Sequence, residues 1–168
     1  MSFLRKLFRH EEDPLLERAR SLVPAARANA GGMLRPLSDQ FSSLLGANDQ
    51  QWDFVVTVAG VFMAATRLND LHLEDRREES LMGMVAERLD EWDPDGARGF
   101  EDCKAFFETT YNKLTSAGHD PRFIASDALG NWIVWNILGR APRTDDELMF
   151  ARTTGAMVIH HVHDWWKL

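Results

Sequence analysis

The twelve residues Phe54-Val-Val-Thr-Val-Ala-Gly-Val-Phe-Met-Ala-Ala65 are apolar on nearly every side of any helix they form. A helix of that kind cannot lie on a surface; it must be enclosed by other elements or cross a membrane. The run ends before Arg67, short of the roughly 18 apolar residues that a membrane span needs. Val55 to Val58 are β-branched enough for a strand, but the length of the run and the small residues after it favour helix. The spacing therefore predicts a central helix, beginning near Asn48 or Asp49, with helices packed around it. Gly60 and Ala64, four apart, would let a neighbouring backbone come close.

The rest of the chain supplies those neighbours. Ser2 to His10 carries Phe3, Leu4, Leu7 and Phe8 on one stripe. Asp13-Pro14 is an N-cap followed by proline at the first helical position, and it opens a helix that buries Leu15, Leu16, Ala19, Leu22 and Val23. Pro24 ends or kinks that helix, and residues 24–32, with Gly31-Gly32, read as a linker or helix end. A short helix is expected from Pro36 to Leu45. Further helices are expected over 73–92, with Leu81, Met82, Val85, Leu89 and Trp92 on one face, and over 100–117, with Phe100, Cys103, Phe107, Tyr111 and Leu114 inward. Another opens at Asp120-Pro121 and closes at Gly139. The last starts at Thr144, where Glu147 completes a capping box, and runs to about Trp166. The expected fold is all-α: a single-domain bundle of six to eight helices. Residues 1–12 form a basic segment, 13–32 a helix plus linker, and 33–168 the main domain.

Composition bounds the class. The 168 residues are 45% hydrophobic and 27% charged, a globular balance. A single cysteine, Cys103, rules out an internal disulfide and a four-cysteine zinc site. The formal net charge is −7, yet Arg5, Lys6 and Arg9 make the first ten residues +3 and leave the remainder at −10. An acidic body argues against nucleic-acid binding, which needs cations to neutralise phosphate. No secretory signal is legible, so the expected location is cytoplasmic, peripheral to the inner membrane face if residues 1–10 meet anionic lipid.

Three clusters invite a chemical reading. His160-His161-Val-His163-Asp164 carries imidazoles beside a carboxylate. At about 100° per residue, Leu148, Gly155, Val158, Ile159, Val162 and Trp166 form the inward face, which turns His160 toward solvent. His161 and His163 lie on opposite flanks, roughly 160° apart, so one metal cannot take both. His160 and Asp164, at i and i+4, remain as a fallback pair, better read as a polar pair near a helix C-terminus. The loop Asn69-Asp70-Leu-His72-Leu-Glu74 resembles a cation loop only superficially, since Asp75 and Leu81 stand where an EF-hand needs glycine and glutamate; capping by Asn69 or Asp70 is the expectation. Asp127 and Asn131 lie four apart on a helix apolar nearly all round. A buried carboxylate there must be bonded or paired, or else it lines a polar pocket. Cys103 reads as an inert core thiol.

The helix 54–65, the acidic stretch after it and the charged start of 73–92 resemble tellurite-resistance TerB-like helical domains over that stretch alone. No specific motif accompanies the likeness, so it implies no activity or site. The expected function is non-enzymatic: a small interaction protein, regulatory or inhibitory, that neutralises a basic protein partner and uses no cofactor. Trp165 and Trp166 and the segment carrying Phe3, Leu4, Arg5, Lys6, Leu7, Phe8 and Arg9 are the candidate contact residues. The alternatives are a ligand-binding or metal-dependent helical enzyme built on Asp127 and Asn131, and a peripheral membrane protein anchored by residues 1–10.

Overall fold

The computed structural model describes residues 13–45 and 49–167. The segment 1–12, with the contact candidates Phe3 to Arg9, lies outside the described residues, as does Asn48. Helices α1 (Pro14–Gln40), α2 (Ser42–Leu45), α3 (Asp49–Thr66), α4 (Asp75–Trp92), α5 (Gly96–Ser116), α6 (Ile124–Leu138) and α7 (Asp145–Val162) follow in order, with a 3₁₀ turn at Arg67–Leu71. The described residues contain no strand.

α3 is the centre. Every residue from Val55 to Ala65 is buried. α1 crosses it at Gly60, where an added methyl would lie 3.2 Å from the Ala26 side chain. The stretch Gln51–Leu71 is apolar and long enough to span a membrane, and most of it is buried inside the bundle, as in any core helix. A turn at residues 93–95 joins α4, which packs on α1, to α5, which packs on α3 and α6; α6 and α7 form an antiparallel hairpin around residues 139–144. Trp52 anchors α3 to α1 through its indole N–H on the Ala30 carbonyl at 2.8 Å. Trp166 donates to the Ala64 carbonyl at 2.7 Å, tying the end of the chain to the last turn of α3.

Several caps form as their residues dictate. The Asp13 side chain accepts from the Leu15 amide. Thr144 and Glu147 complete a reciprocal capping box. Gly139 closes α6 in the left-handed region at φ 67°.

Other expectations fail. Residues 24–32 are not a linker: α1 runs unbroken through Pro24, Gly31-Gly32 and Pro36. A proline inside a helix costs about 3 kcal/mol. Here Leu22, Val23, Met33 and Leu37 are buried along the same helix, each contributing roughly 1.5–3 kcal/mol. That burial, with both proline rings in solvent, keeps the helix whole. Asp120-Pro121 does not open α6. It forms a turn in which Asp120 accepts from the Arg122 amide and guanidinium, and the helix begins at Ile124. Neither Asn69 nor Asp70 caps α4; Asp70 pairs with Arg67 at 3.4 Å, and His72 turns the chain at φ 50°. Tyr111 is 39% exposed because the end of α5 outruns the helices beneath it. Leu148, expected inward on α7, is 49% exposed, and Phe150, Ala151 and Thr154 face the core instead.

Candidate functional site

The candidate residues of the last two helices are mostly engaged within the fold. Asp127 receives two hydrogen bonds from Arg152, from Nε and Nη2, each 2.7 Å. Arg152 also lies 4.5 Å from the centre of the Phe123 ring. Asn131 spends its amide N–H on the Asp127 carbonyl at 2.7 Å. Asp127 therefore joins α6 to α7, while Asn131 bonds within α6. Asp164 is held by Lys167 at 2.6 Å, which lowers its pKa, with His163 at 3.6 Å. His160 is exposed, and His161 bonds the Met157 carbonyl. Among the described residues no three His, Cys, Asp or Glu side chains converge to hold a metal ion. Trp166 is buried, and Trp165 is half-buried beneath the Arg18 guanidinium at 5.5 Å. Burial raises the Cys103 thiol pKa well above the ordinary range, consistent with an unreactive thiol.

Glu147 is the most constrained ionisable group of this half. Arg140 grips it through two hydrogen bonds of 3.0 and 2.7 Å, and the Arg143 amide donates at 2.6 Å. Those bonds, the Arg140 pair first, lower its pKa to about 2.

The pair of α4 and α5 is different. Residues 75–116, which make up α4, α5 and their turn, contain eleven acids and six bases, a formal −5 of the chain's −7. Most of the net charge of the chain thus resides on these two helices. Glu79, Glu87, Asp90 and Glu101 are exposed, and none takes part in an ion pair among the described residues. Between the two helices lies a groove of about 310 Å³. Val85, Leu89 and Phe100 form its buried floor, Met82, Gly83, Ala86 and Ala97 its walls, and Glu101 its edge. By helical spacing Glu79 lies one turn before Met82 and Gly83, and Asp90 one turn after Ala86, so both flank the same face. The surface combines an apolar trough, small walls and an acidic border.

At the turn between these helices sits a second concavity of about 810 Å³. Trp92 stacks on Phe54 at 5.7 Å, with the two planes 18° apart. Gly99 packs against that Phe54 ring so closely that a methyl would come within 2.8 Å of it. Asp53, Asp93, Asp95 and Asp102 share the lining with Arg27 and Arg98. Arg27 binds Asp53 and Arg98 binds Asp95, each at 2.9 Å. The cleft is of mixed charge and net acidic, with Asp93 and Asp102 in no ion pair among the described residues. A neighbouring apolar hollow of about 940 Å³ is bordered by Arg20, Arg27 and Arg88, with Asp53 and Glu91 paired to the last two.

The chain matches no family model, and no curated protein or solved structure resembles it significantly. The groove was missed in the sequence because its walls are too small to stand out in a hydrophobic pattern. The signal that could have found it is the charge count taken helix by helix.

Proposed function

We propose that this chain is a small helical interaction protein that receives a basic protein partner on the acidic surface of α4 and α5. One observation carries the reading: α4 and α5 with their turn hold −5 of the chain's net charge of −7. Unpaired surface acids of one sign raise the encounter rate with a cationic partner and disfavour anionic ones. The apolar groove between them supplies the desolvated contact that charge alone does not give. The remaining charged clusters support no competing chemistry, since Asp127, Glu147 and Asp164 are each committed to a cation of the same chain.

The test is affinity capture from the native host with the full chain and with a Glu79→Gln, Glu87→Gln, Asp90→Asn, Glu101→Gln variant. These side chains are exposed and unpaired, so the variant keeps its fold. The expected result is a stoichiometric basic protein bound by the parent and reduced about tenfold in the variant, with the difference shrinking at high salt. Equal capture of the same partner by both chains, or capture of an acidic partner, would refute the reading.

A further inference from the structure

We infer that the cleft beside Trp92, at the turn between α4 and α5, receives the guanidinium group of an arginine side chain on the basic partner. The inference rests on the reading of α4 and α5 as the face for that partner, and it names the chemical group by which the partner is held.

Charge is the first argument. The lining of the cleft sets four aspartates against Arg27 and Arg98. Arg27 is matched to Asp53 and Arg98 to Asp95. Asp93 and Asp102 are left over and put the lining at a formal −2. Asp93 accepts from the Asp95 amide through Oδ1 at 2.9 Å, which fixes its carboxylate on the turn. Other polar side chains of the lining are spent within the fold: Gln51 donates to the Asn136 carbonyl, and the Asn136 amide donates to the Trp132 carbonyl. The charge that the fold leaves uncompensated here is negative. The hollow on the other side of Trp92 matches less well, because its three arginines outnumber Asp53 and Glu91.

The aromatic wall is the second. Trp92 and Phe54 are both half-buried and stack on each other at 5.7 Å, and the buried Trp132 belongs to the same lining. Gly99 lets that stack stand where it does, since any side chain there would displace the Phe54 ring. The face of an aromatic ring attracts a cation laid over it. The chain uses arginine in this way elsewhere, with Arg18 over Trp165 at 5.5 Å and Arg152 over Phe123 at 4.5 Å. Arg27 and Arg98 do not: each is turned to its aspartate, and neither lies over Trp92, Phe54 or Trp132. The cleft's own cations leave its aromatic wall uncovered.

The third argument selects the kind of cation. Among the described residues no three acids converge as metal ligands, so Asp93 and Asp102 make no cage for a small hard ion, which needs many oxygens at close range. A guanidinium is planar and weakly hydrated, and its N–H donors lie in one plane. It can therefore lie flat on a ring and still reach a carboxylate at its edge, which a compact ammonium does less well. Beyond the cleft the aromatic surface continues: Phe106 and the 46% exposed Trp135 lie 6.2 Å apart, one turn along α5 and α6 from Asp102 and Trp132. Residues flanking the bound arginine would rest there.

Titration of the full chain with acetyl-Gly-Arg-Gly-amide, followed through the indole N–H resonances in NMR spectra, tests this. The Trp92 resonance should shift saturably, with a Kd of about 1 mM. Those of Trp52 and Trp166, buried and bonded to the Ala30 and Ala64 carbonyls, should stay in place as the internal control. The same peptide with citrulline, neutral but of the same shape, should bind about tenfold more weakly, and the lysine peptide about threefold more weakly. Asp93→Asn with Asp102→Asn should raise the Kd about tenfold. Neither side chain is buried, and asparagine can still accept the Asp95 amide, so the fold is kept. The Glu79→Gln, Glu87→Gln, Asp90→Asn, Glu101→Gln variant, whose charges lie outside the cleft, should change the Kd by less than about threefold in physiological salt. No saturable shift of Trp92 would overturn the inference. So would equal binding of the citrulline or lysine peptide, or an equal loss in the two charge variants. Binding of agmatine where the arginine peptide does not bind would overturn it as well, since the ligand would then be a free small cation. Capture of a basic partner is read separately, so the cleft can fail as an arginine site while the acidic face stands.

Discussion

Two pairs of consecutive helices in this protein meet in opposite ways. In α6 and α7 the backbones all but touch. A methyl at Gly130 would collide with the Ala151 carbonyl, and one at Gly155 with the Ser126 carbonyl. Their charges are spent internally, Arg152 on Asp127 and Arg140 on Glu147. In α4 and α5 the helices leave a groove, the wall glycine meets nothing, and the acids beside it stay unpaired. One pair is closed by its own residues, and the other keeps both apolar surface and charge available. The contrast teaches that a glycine in a helix has to be read with its neighbourhood: at Gly130 the fold requires it, and at Gly83 the fold leaves room for a side chain.

That comparison can be broken at its strongest point first. Gly130→Ala forces apart two backbones that have no flexible side chain to yield, so the expected loss is about 3 kcal/mol or more. For a chain of this size that is roughly a 6–12 °C fall in Tm, measured by thermal unfolding. A fall of less than about 2 °C would show that the two helices can separate without cost, and the closed hairpin would lose its meaning.

A smaller effect is expected at Glu147, and it depends on pH. Its pKa is about 2 in the fold, against an ordinary value of 4.5. A depressed carboxylate stabilises the folded state above its unfolded pKa, and the contribution is lost as pH falls through the folded value. Glu147→Gln should therefore be less stable than the parent at pH 7, with the gap closing between about pH 4.5 and 2 in urea titrations. A gap that stayed constant down to pH 2 would mean that the carboxylate charge contributes nothing.

The smallest effect has the opposite sign. Gly83→Ala should stabilise the free protein by about 0.5–1 kcal/mol, because it improves helix propensity and meets no neighbour. A destabilised Gly83→Ala chain would mean that the wall of the groove is already in contact, and the two pairs would differ less than their geometry indicates.

Much of the fold was legible because helices announce themselves locally. The all-round apolar run at Phe54–Ala65 marked the central helix, and the Asp13, Thr144 with Glu147 and Gly139 signals marked ends that the structure reproduces. Asp127 stood out as a polar group on a buried helix, but its partner did not, since Arg152 lies 25 residues away on a helix whose rotation the pattern misjudged. Leu148 was expected inward because it is apolar. The structure turns Ala151 and Gly155 inward because only small residues permit the approach to Gly130 and Ser126. The groove left no trace in hydrophobic spacing, as alanine and glycine contribute little to it.

By itself, then, the order of residues decided which stretches are helical, where the capped ends fall and which helix is enclosed, because those outcomes depend on groups within about four residues of each other. Only the assembled tertiary structure decided that α1 continues through two prolines, which way α7 is rotated, and which acids find a cation. Each of those depends on burial or charge supplied by residues remote in the chain, and no local rule contains them.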